Sequence, residues 1–307
     1  MKGVILAAGK GSRLFPVTHH IPKPLLPMAN RPTLAYAFDR LKEMGISEIC
    51  VVVGENEPVM KEFLKDGAEY GVSLSYARQP EPLGLAHAVG FTKDFVGDDS
   101  FVLYLGDAIY SHGFAEHAQA FSESGCANLN IVKPVEDPRR FGVANVDDSG
   151  WITKLVEKPQ NPESNLAMAG LYFFGPQIWD VLPRLQPSGR GEYEITDAIQ
   201  MLIDEGHEVR AGVYEHTWFD TGTLDSFLET SHFLTGGQNL IDPSATVNAN
   251  VGSGVVIGAG AHVNAGELND TVILPGARVQ AINVRHCLLG GNVRFDADLE
   301  GEIHYGV

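Results

Sequence analysis

The segment LAAGKGSRL (residues 6–14) decides the fold class, because its glycine-rich loop comes directly after a short apolar run at residues 3–7. The run predicts a buried strand, and the glycines after it let the backbone turn tightly and bring N–H groups against phosphate oxygens. Arg13 adds a fixed positive charge beside this loop. The loop lacks the third glycine of the dinucleotide fingerprint and the Gly-Lys-Ser/Thr ending of a P-loop, so neither of those sites is predicted.

Strand and helix patterns alternate from this loop to about residue 235. The pattern predicts strands over residues 48–53, 74–77 and 101–105, and helices over residues 33–44, 59–64 and 86–95. Such alternation is typical of an α/β fold with a mostly parallel sheet that is covered by helices. Ligands of these sheets bind at the carboxyl ends of the strands, so the loops at that edge are the candidates for function.

The periodicity changes after residue 237, where aliphatic residues begin to recur six positions apart, as at Val251, Ile257 and Val263. This spacing resembles the hexapeptide repeat of a left-handed parallel β-helix, in which each aliphatic side chain fills the interior. We therefore expect a short β-helix of about three coils over residues 240–307, with a loop-rich β tail as the alternative. Because solenoid coils expose their ends, the repeat also predicts a homo-oligomer.

Composition restricts the classes of function. A formal net charge of −17 argues against nucleic acid or an anionic membrane as a partner, since both need a basic face. The sequence has no apolar run of about 18 residues, as a membrane span requires. The apolar run at its start is too short for the hydrophobic region of a signal peptide. The three cysteines are far apart and predict neither a metal site nor a disulfide. A cytoplasmic protein is expected.

A lysine between prolines, in IPKPLLP (residues 21–27), is the second candidate for phosphate binding. Proline fixes its own backbone and restricts the residue before it, so we expect an extended segment that presents the Lys23 ammonium group. A solvated loop lysine is the alternative. The position of Lys23, ten residues after Arg13, favours the phosphate-binding role.

Together with four later segments, these motifs resemble the sugar-1-phosphate nucleotidyltransferase family, in the order that the family shows. The resemblance covers nearly the whole of the first 230 residues and implies a Rossmann-like nucleotidyltransferase domain with a mixed, mostly parallel sheet over residues 1–235. The six segments are LAAGKGSRL (6–14), IPKPLLP (21–27), RQPEPLGLA (78–86), YLGD (104–107), EKP (157–159) and WFDTG (218–222).

The resemblance implies a role for each matching residue in joining a sugar 1-phosphate to a nucleoside triphosphate, with release of pyrophosphate. Two aspartates are expected to hold Mg²⁺, Asp107 and Asp220. The catalytic set is expected to be Arg13, Lys23, Asp107, Lys158 and Asp220. The nucleotide is expected to meet Leu6, Ala8, Gly9, Gly11, Ser12, Arg13, Lys23, Gln79, Gly84 and Asp107. The sugar phosphate is expected to meet Gly142, Glu157, Lys158, Met168, Gly170, Glu192 and Trp218.

Within the family, AGLY (169–172) and GEYEITD (191–197) resemble the glucose-1-phosphate thymidylyltransferase branch, and the repeat resembles its long form. This implies dTTP and glucose 1-phosphate as substrates. Ala8 and Pro24 depart from residues common in that branch. UTP with glucose or N-acetylglucosamine 1-phosphate, and GTP with mannose 1-phosphate, therefore stay open as alternatives.

Two functions of other classes are also open to this sequence. A non-catalytic subunit that senses nucleotide sugars should have lost a metal carboxylate or a phosphate-binding base, and this chain retains all five charged residues of the catalytic set. A hexapeptide acyltransferase would need a catalytic histidine in the coils, for which His262 and His286 are the candidates. Three coils leave little room for an acyl-carrier groove, so the nucleotidyltransferase is the favoured function.

Overall fold

The computed structural model describes residues 1–306, which form two compact units. The first unit contains Met1–Gly9 and Ala37–Trp218, and the second contains Lys10–Tyr36 and the chain from Phe219 onward. This division differs from the predicted domains at 1–235 and 240–307, because the segment with the second glycine of the loop and Lys23 groups with the repeat. Compactness does not say which residues catalyse, so the predicted catalytic and repeat domains stay a prediction.

Short strands and helices alternate along the chain. The strands are β1 (Lys2–Leu6), β2 (Pro27–Met28), β3 (Arg31–Pro32), β4 (Glu48–Val53), β5 (Ser73–Arg78), β6 (Phe101–Leu105), β7 (Ala108–Tyr110), β8 (Asn128–Pro134), β9 (Gly142–Val146), β10 (Ile152–Glu157), β11 (Leu166–Phe174), β12 (Val209–Val213), β13 (Trp218–Asp220), β14 (Leu240–Ile241), β15 (Thr246–Val251), β16 (Val255–Ile257), β17 (His262–Ile273), β18 (Arg278–Gln280), β19 (Asn283–Arg294), β20 (Leu299–Glu300) and β21 (Ile303–Gly306). The α-helices are α1 (Val17–His20), α2 (Thr33–Glu43), α3 (Glu57–Leu64), α4 (Leu85–Gly90), α5 (Lys93–Val96), α6 (Ala115–Ser124), α7 (Ile178–Val181), α8 (Ile195–Asp204) and α9 (Leu224–Leu234). Five 3₁₀ turns cover Ser12–Leu14, Lys23–Leu25, Ala68–Tyr70, Pro138–Arg140 and Leu182–Arg184.

The first unit is built on one mixed sheet with the strand order β10-β9-β11-β6-β1-β4-β5, and β8 joins β11 to β12. Strands β6, β1, β4 and β5 pair in parallel, whereas β11 pairs antiparallel with β6, β8 and β9. The sheet is therefore mixed, as expected, but it is not mostly parallel beyond β6. One antiparallel pair, β9 and β10, follows from connection length, since a short turn joins these strands and has no room for a crossover helix.

The central strands explain why the candidate loops lie at one edge. Strands β1 and β4 are almost continuous aliphatic runs, and Val4, Ile5 and Val51 are fully buried. Strands that are covered on both faces read as such runs, because no position faces water. Since β1, β4 and β6 are parallel neighbours, their carboxyl ends bring residues 7–9, 54 and 106 to the same edge.

One predicted helix is divided in two. The segment expected to be helical over residues 86–95 forms α4 and α5, which are separated at Phe91 and Thr92. The hydroxyl of Thr92 donates a hydrogen bond of 2.8 Å to the Val89 carbonyl, to which the Thr92 N–H also donates, at 2.9 Å. A threonine side chain that competes for a backbone carbonyl in this way ends the regular helical pattern. The prediction of a single helix over residues 86–95 was therefore wrong.

The second unit contains a stack of parallel strands. Most residues that pair across successive coils are 16 positions apart, as at Thr246, His262 and Arg278. Val263 and Val279 alternate with these exposed residues and are buried in the interior, as the apolar spacing predicts. A coil of 16 residues is not a multiple of six, so the hexapeptide period fits loosely. The left-handed β-helix stays a prediction, although the parallel coils are present.

Two of the sequence-based exclusions can be compared with the structure. Cys50, Cys126 and Cys287 are buried free thiols. Burial raises the pKa of Cys50 to about 11, which makes it a core residue rather than a reactive thiolate at neutral pH. Along residues 1–306, every helix is too short or too polar to cross a membrane.

A histidine joins helix α9 to the coils of the second unit. His286 lies on β19 with Nδ1 at 2.5 Å from Asp270 Oδ2 and Nε2 at 2.8 Å from Asp225 Oδ1. Burial pulls the pKa of His286 down, but the hydrogen bonds and charges of Asp225 and Asp270 outweigh it and raise that pKa above its usual value. Both ring nitrogens act as donors in the protonated form, so protonation stabilises this contact.

We expect His286→Gln to destabilise the protein at pH 5.5 and to have little effect at pH 8.5. A raised folded-state pKa stabilises the fold fully below the unfolded value, near 6.5, and the contribution is lost as the pH rises through the folded value. The side chain of Asp225 is 86% exposed, which limits the effect to about 1 kcal/mol. Urea unfolding at both pH values measures it, with the exposed coil residue His262→Gln as control. Equal destabilisation at both pH values contradicts the ionic contact.

Candidate functional site

The loop after β1 is fixed at the carboxyl edge of the first unit by backbone hydrogen bonds. Gly106 N donates to Leu6 O at 3.0 Å, and Ala7 N donates to Val52 O at 2.8 Å. The side chain of Asn56 adds a third contact, from Nδ2 to Ala7 O at 3.0 Å. The predicted residues Leu6, Ala8 and Gly9 therefore lie on a segment whose position is set by both neighbouring strands.

Asp107 follows β6 at the same edge, directly after Gly106. Strands β6 and β1 are parallel neighbours with Leu105 opposite Leu6, so the predicted carboxylate and the glycine loop leave the sheet side by side. Gly54 follows the next strand, and a Cβ there would lie 3.1 Å from Ala8 O. The absence of a side chain at this position lets the loop approach closely.

The segment predicted to read a base lies after β5 and packs on Tyr193. Tyr193 N donates to Leu83 O at 2.7 Å, and Ala86 N donates to Tyr193 O at 3.0 Å. Gly84 has φ +113°, and a Cβ there would lie 2.4 Å from Tyr193 O. The glycine is thus required by the neighbouring backbone, a reason that the sequence did not reveal. The parts of Gln79 and Gly84 in nucleotide binding stay predictions.

Four residues of the predicted sugar-phosphate set meet around one carboxylate. Gly142 and Glu157 face each other across β9 and β10, and a Cβ on Gly142 would lie 2.4 Å from Met168 Sδ. Thr196 donates a hydrogen bond of 2.6 Å to Glu157 Oε2 and contacts Met168 Sδ at 3.6 Å. Lys158 Nζ lies 3.4 Å from Glu157 Oε1. A half-buried carboxylate beside an ammonium group can bind the hydroxyls and phosphate of one small ligand.

Arg190 links this cluster to the segment that precedes α8. Its guanidinium lies 2.9 Å from Glu192 Oε2, 3.1 Å from Glu194 Oε1 and 3.9 Å from Glu157 Oε1. Burial raises the pKa of Glu194, and burial together with the Glu157 charge raises the pKa of Asp197. Glu192 therefore approaches the cluster through Arg190, in a region crowded with acidic groups.

Two other predicted sugar contacts are placed differently. Gly170 has φ +84° and its missing Cβ faces Leu105 Cδ1 at 3.0 Å, so this glycine serves the packing of β11 on β6. Trp218 stacks obliquely on Phe141 with ring centroids 5.2 Å apart. The indole N–H of Trp218 is buried and has no hydrogen-bond partner among residues 1–306. An orphaned buried donor costs free energy, which is consistent with a ligand acceptor at this position.

The second unit brings the remaining predicted residues together in two contacts. Gly11 has φ +64°, and a Cβ there would lie 3.0 Å from the Cβ of Lys23. Gly222 lies against the Arg13 guanidinium, where a Cβ would be 2.5 Å from Nη2. The glycine-loop motif thus meets the lysine motif and the motif that carries Asp220. Ser12 begins the 3₁₀ turn that presents Arg13.

The expected conformation of the lysine motif was wrong. Lys23–Leu25 is a 3₁₀ turn, closed by hydrogen bonds from Leu25 N to Pro22 O at 2.8 Å and from Leu26 N to Lys23 O at 3.1 Å. The residue before a proline is biased away from helical angles, but these two hydrogen bonds override that bias. Lys23 is 9% exposed, so its stem is packed rather than presented from a stiff extended segment.

The donor set restricts which metal could be held. Within residues 1–306, no group of three or more His, Cys, Asp or Glu side chains is arranged to hold a metal ion. The hard carboxylate oxygens of one or two aspartates suit a divalent ion such as Mg²⁺, because that ion keeps several waters and takes phosphate oxygens as its other ligands.

Three residues of the site were missed from the sequence, namely Asn56, Arg190 and Thr196. Thr196 stands within the quoted segment GEYEITD, so a signal was present, but its partner Glu157 is 39 positions away. Asn56 and its partner Ala7 are 49 positions apart. No spacing rule connects such pairs, so only the fold reveals them.

We expect Gly142→Ala to lower the free energy of unfolding by about 1–3 kcal/mol, because the new methyl group overlaps Met168 Sδ and Thr196 Oγ1, at 2.4 and 2.8 Å. At such distances neighbouring groups must shift, and one of them, Thr196 Oγ1, is the donor to Glu157 Oε2. Urea unfolding measures the change. Gly189→Ala is the matched control, since no atom lies within 4 Å of its Cβ position. A Gly142 variant as stable as the control would show that the cluster yields without cost.

Comparison with known proteins places this geometry in a family. The profile of the family described as nucleotidyl transferase matches residues 2–237. The low-salt glycan biosynthesis nucleotidyltransferase Agl11 of Haloferax volcanii is 46% identical over 258 residues, which are 82% of this chain and 72% of that protein. A glucose-1-phosphate thymidylyltransferase of Streptomyces griseus is 35% identical over 98% of this chain and 92% of its own length.

Solved structures of similar proteins indicate the same family. A putative glucose-1-phosphate thymidylyltransferase from Bacillus anthracis matches 76% of this chain and 94% of its own, with 35% identity and a TM-score of 0.71. A UDP-glucose pyrophosphorylase in complex with UDP-glucose matches the same share of this chain at 25% identity, with a TM-score of 0.71. Substrates of the family are a nucleoside triphosphate and a sugar 1-phosphate, and its members generally use a divalent metal. The chain belongs to the nucleotidyl transferase family and is an enzyme of that class.

Proposed function

We propose that this enzyme transfers a thymidylyl group from dTTP to glucose 1-phosphate, giving dTDP-glucose and pyrophosphate. The observation that carries the proposal is the cluster of Gly142, Glu157, Met168 and Thr196 with Lys158 beside it. It offers a carboxylate for sugar hydroxyls and a cation for the phosphate. The Streptomyces griseus relative, which is similar over nearly the whole chain, supports glucose 1-phosphate and dTTP as the pair.

The proposed reaction is an in-line displacement in which an oxygen of the sugar phosphate attacks the α-phosphorus and pyrophosphate departs. Such transfers depend on positioning and on neutralising negative charge rather than on a covalent step with the protein. Lys158 is proposed to hold the attacking phosphate, while Glu157 accepts hydrogen bonds from the sugar. Arg13 and Lys23 are proposed to neutralise the triphosphate.

We further propose Mg²⁺ as the metal, with Asp107 and Asp220 each contributing a carboxylate. When bound, the ion supplies positive charge to the phosphate oxygens. The glycine loop would give backbone N–H groups to the same phosphates, and Gln79 would meet the base. Met168 would line the sugar pocket through its backbone.

The predicted division into a catalytic domain (1–235) and a left-handed β-helix (240–307) also belongs to the proposal. The parallel coils with a buried aliphatic interior support a solenoid. A homo-oligomeric state and a cytoplasmic location rest on the sequence alone.

UTP with glucose 1-phosphate is the second candidate, and the structural similarity to a UDP-glucose pyrophosphorylase favours it over the GTP pair. A grid of the four common nucleoside triphosphates, with dTTP added, against the common sugar 1-phosphates tests the proposal by release of pyrophosphate with Mg²⁺. We expect dTTP with glucose 1-phosphate to be the fastest pair. If a pair with UTP or GTP reacts faster, the assigned substrates change but the type of reaction does not. No release over the whole grid contradicts the catalytic role and favours a sensor of nucleotide sugars.

A further inference from the structure

The amide of Gln79 is held in a single orientation by the protein. Gln79 follows β5 at the carboxyl edge of the first unit and is only 6% exposed. Its Nε2 lies 3.1 Å from the carbonyl oxygen of Gly84. A backbone carbonyl can only accept a hydrogen bond, so the amide atom that faces it must be the nitrogen. This carbonyl favours the orientation in which the nitrogen faces Gly84, and a second acceptor on the same nitrogen reinforces it.

His87 takes the second hydrogen of the same nitrogen. Its Nδ1 lies 3.1 Å from Gln79 Nε2. Because Nε2 is a donor, Nδ1 must accept, and the neutral ring carries its proton on the other nitrogen. Phe91 contacts the ring edge-on with centroids 4.9 Å apart, and Tyr193 stacks on it at 6.0 Å. The acceptor is thus on a ring that its neighbours hold in place.

Both N–H groups of the Gln79 amide donate hydrogen bonds within the protein, so the oxygen Oε1 is the amide atom left for a ligand. No donor among residues 1–306 is hydrogen-bonded to Oε1. A fixed acceptor at this edge suits the imino N–H at position 3 of thymine or uracil. Cytosine presents a lone pair at that atom, which an acceptor repels. An amide that could rotate would present its NH₂ group to cytosine and lose the distinction.

We infer that His87 is a positioning residue which locks Gln79 as a hydrogen-bond acceptor and so selects thymine and uracil nucleotides against cytosine nucleotides. The inference rests on the proposed function only in placing the base against Gln79. It does not distinguish thymine from uracil, because both carry the imino N–H.

Equilibrium binding of dTTP and dCTP to wild type, His87→Leu and His87→Gln tests the inference without turnover. Leucine keeps apolar packing against Tyr193 and Phe91 but offers no acceptor, whereas glutamine offers one. We expect wild type to bind dTTP at least about tenfold more tightly than dCTP. His87→Leu should lower that ratio about tenfold, as the loss of one hydrogen bond predicts. His87→Gln should restore most of it.

An unchanged ratio in His87→Leu, or an equal loss in the leucine and glutamine variants, overturns the inference. A measurement on wild type keeps it testable if the leucine variant does not fold, namely the tautomer of His87 from ¹⁵N chemical shifts at neutral pH. We expect Nδ1 to be unprotonated, and a proton on Nδ1 overturns the inference. If the ratios behave as stated but no pyrophosphate is released over the substrate grid, the proposed function fails and the base selection stands. If pyrophosphate is released from dTTP but His87→Leu leaves the affinity ratio unchanged, the proposed function stands and the inference about His87 fails.

Discussion

Asp107→Asn is expected to lower the rate of pyrophosphate release about 10³-fold while leaving the fold intact. Asp107 follows β6 at the edge where the glycine loop leaves β1, and we propose that it binds the metal. An amide keeps the size of the side chain but removes its negative charge and one of its hard oxygen ligands. Losing a group that stabilises charge in the transition state costs 10² to 10³-fold in known enzymes, and a weakened metal adds to this loss.

Pyrophosphate release with Mg²⁺ and the best substrate pair measures the effect, and titration with Mn²⁺ followed by electron paramagnetic resonance measures metal binding separately. Asp148→Asn, in the exposed turn between β9 and β10, is the matched control. Metal affinity and activity near those of the control would remove Asp107 from the metal site. A loss of activity with unchanged metal affinity would assign it a different catalytic role.

Lys158→Met is expected to lower kcat/KM for the sugar 1-phosphate about 10²-fold and to leave the affinity for the nucleotide unchanged. Lys158 has φ +42°, an uncommon conformation for a residue with a side chain. Its N–H donates to Phe141 O at 3.0 Å, and its ammonium lies 3.4 Å from Glu157 Oε1. Strained backbone of this kind persists where the surrounding structure enforces it, often at functional sites.

Methionine keeps the length of the side chain and removes its charge. Lys154→Met is the matched control, because Lys154 lies on β10, the strand that Lys158 directly follows, and makes a surface ion pair with Glu163 at 3.0 Å. Initial rates at varied sugar 1-phosphate, with nucleotide affinity from calorimetry, separate the two substrates. If only the affinity for the nucleotide falls, Lys158 would be assigned to binding the triphosphate, which contradicts its proposed role.

The sequence by itself predicted the family, the α/β class and four strands of the first unit, β1, β4, β5 and β6. The aliphatic runs at residues 48–53 and 101–105 became β4 and β6 with the expected bounds, because buried parallel strands must be apolar throughout. The motifs at 6–14, 104–107 and 157–159 were recognisable for a related reason. Turns that bind phosphate or metal need particular residues at fixed local spacings, and such spacings can be read along a chain.

Local rules failed where a distant or competing hydrogen bond decided the outcome. The proline-flanked Lys23 was expected in an extended segment and lies in a 3₁₀ turn. The predicted helix over residues 86–95 is broken because Thr92 bonds to Val89 O. In both places the intrinsic preference of the backbone is small compared with the hydrogen bonds and packing that oppose it.

Only the tertiary structure decided how the side chains of the site meet. The hydrogen bond between Thr196 and Glu157 joins α8 to β10, and Arg190 connects that carboxylate to Glu192. The reason for Gly84 lies in the backbone of Tyr193, which is more than a hundred residues away in the sequence. Such contacts depend on which strands are neighbours in the sheet. Strand order is set by the packing of the whole unit, and no local pattern of residues contains it.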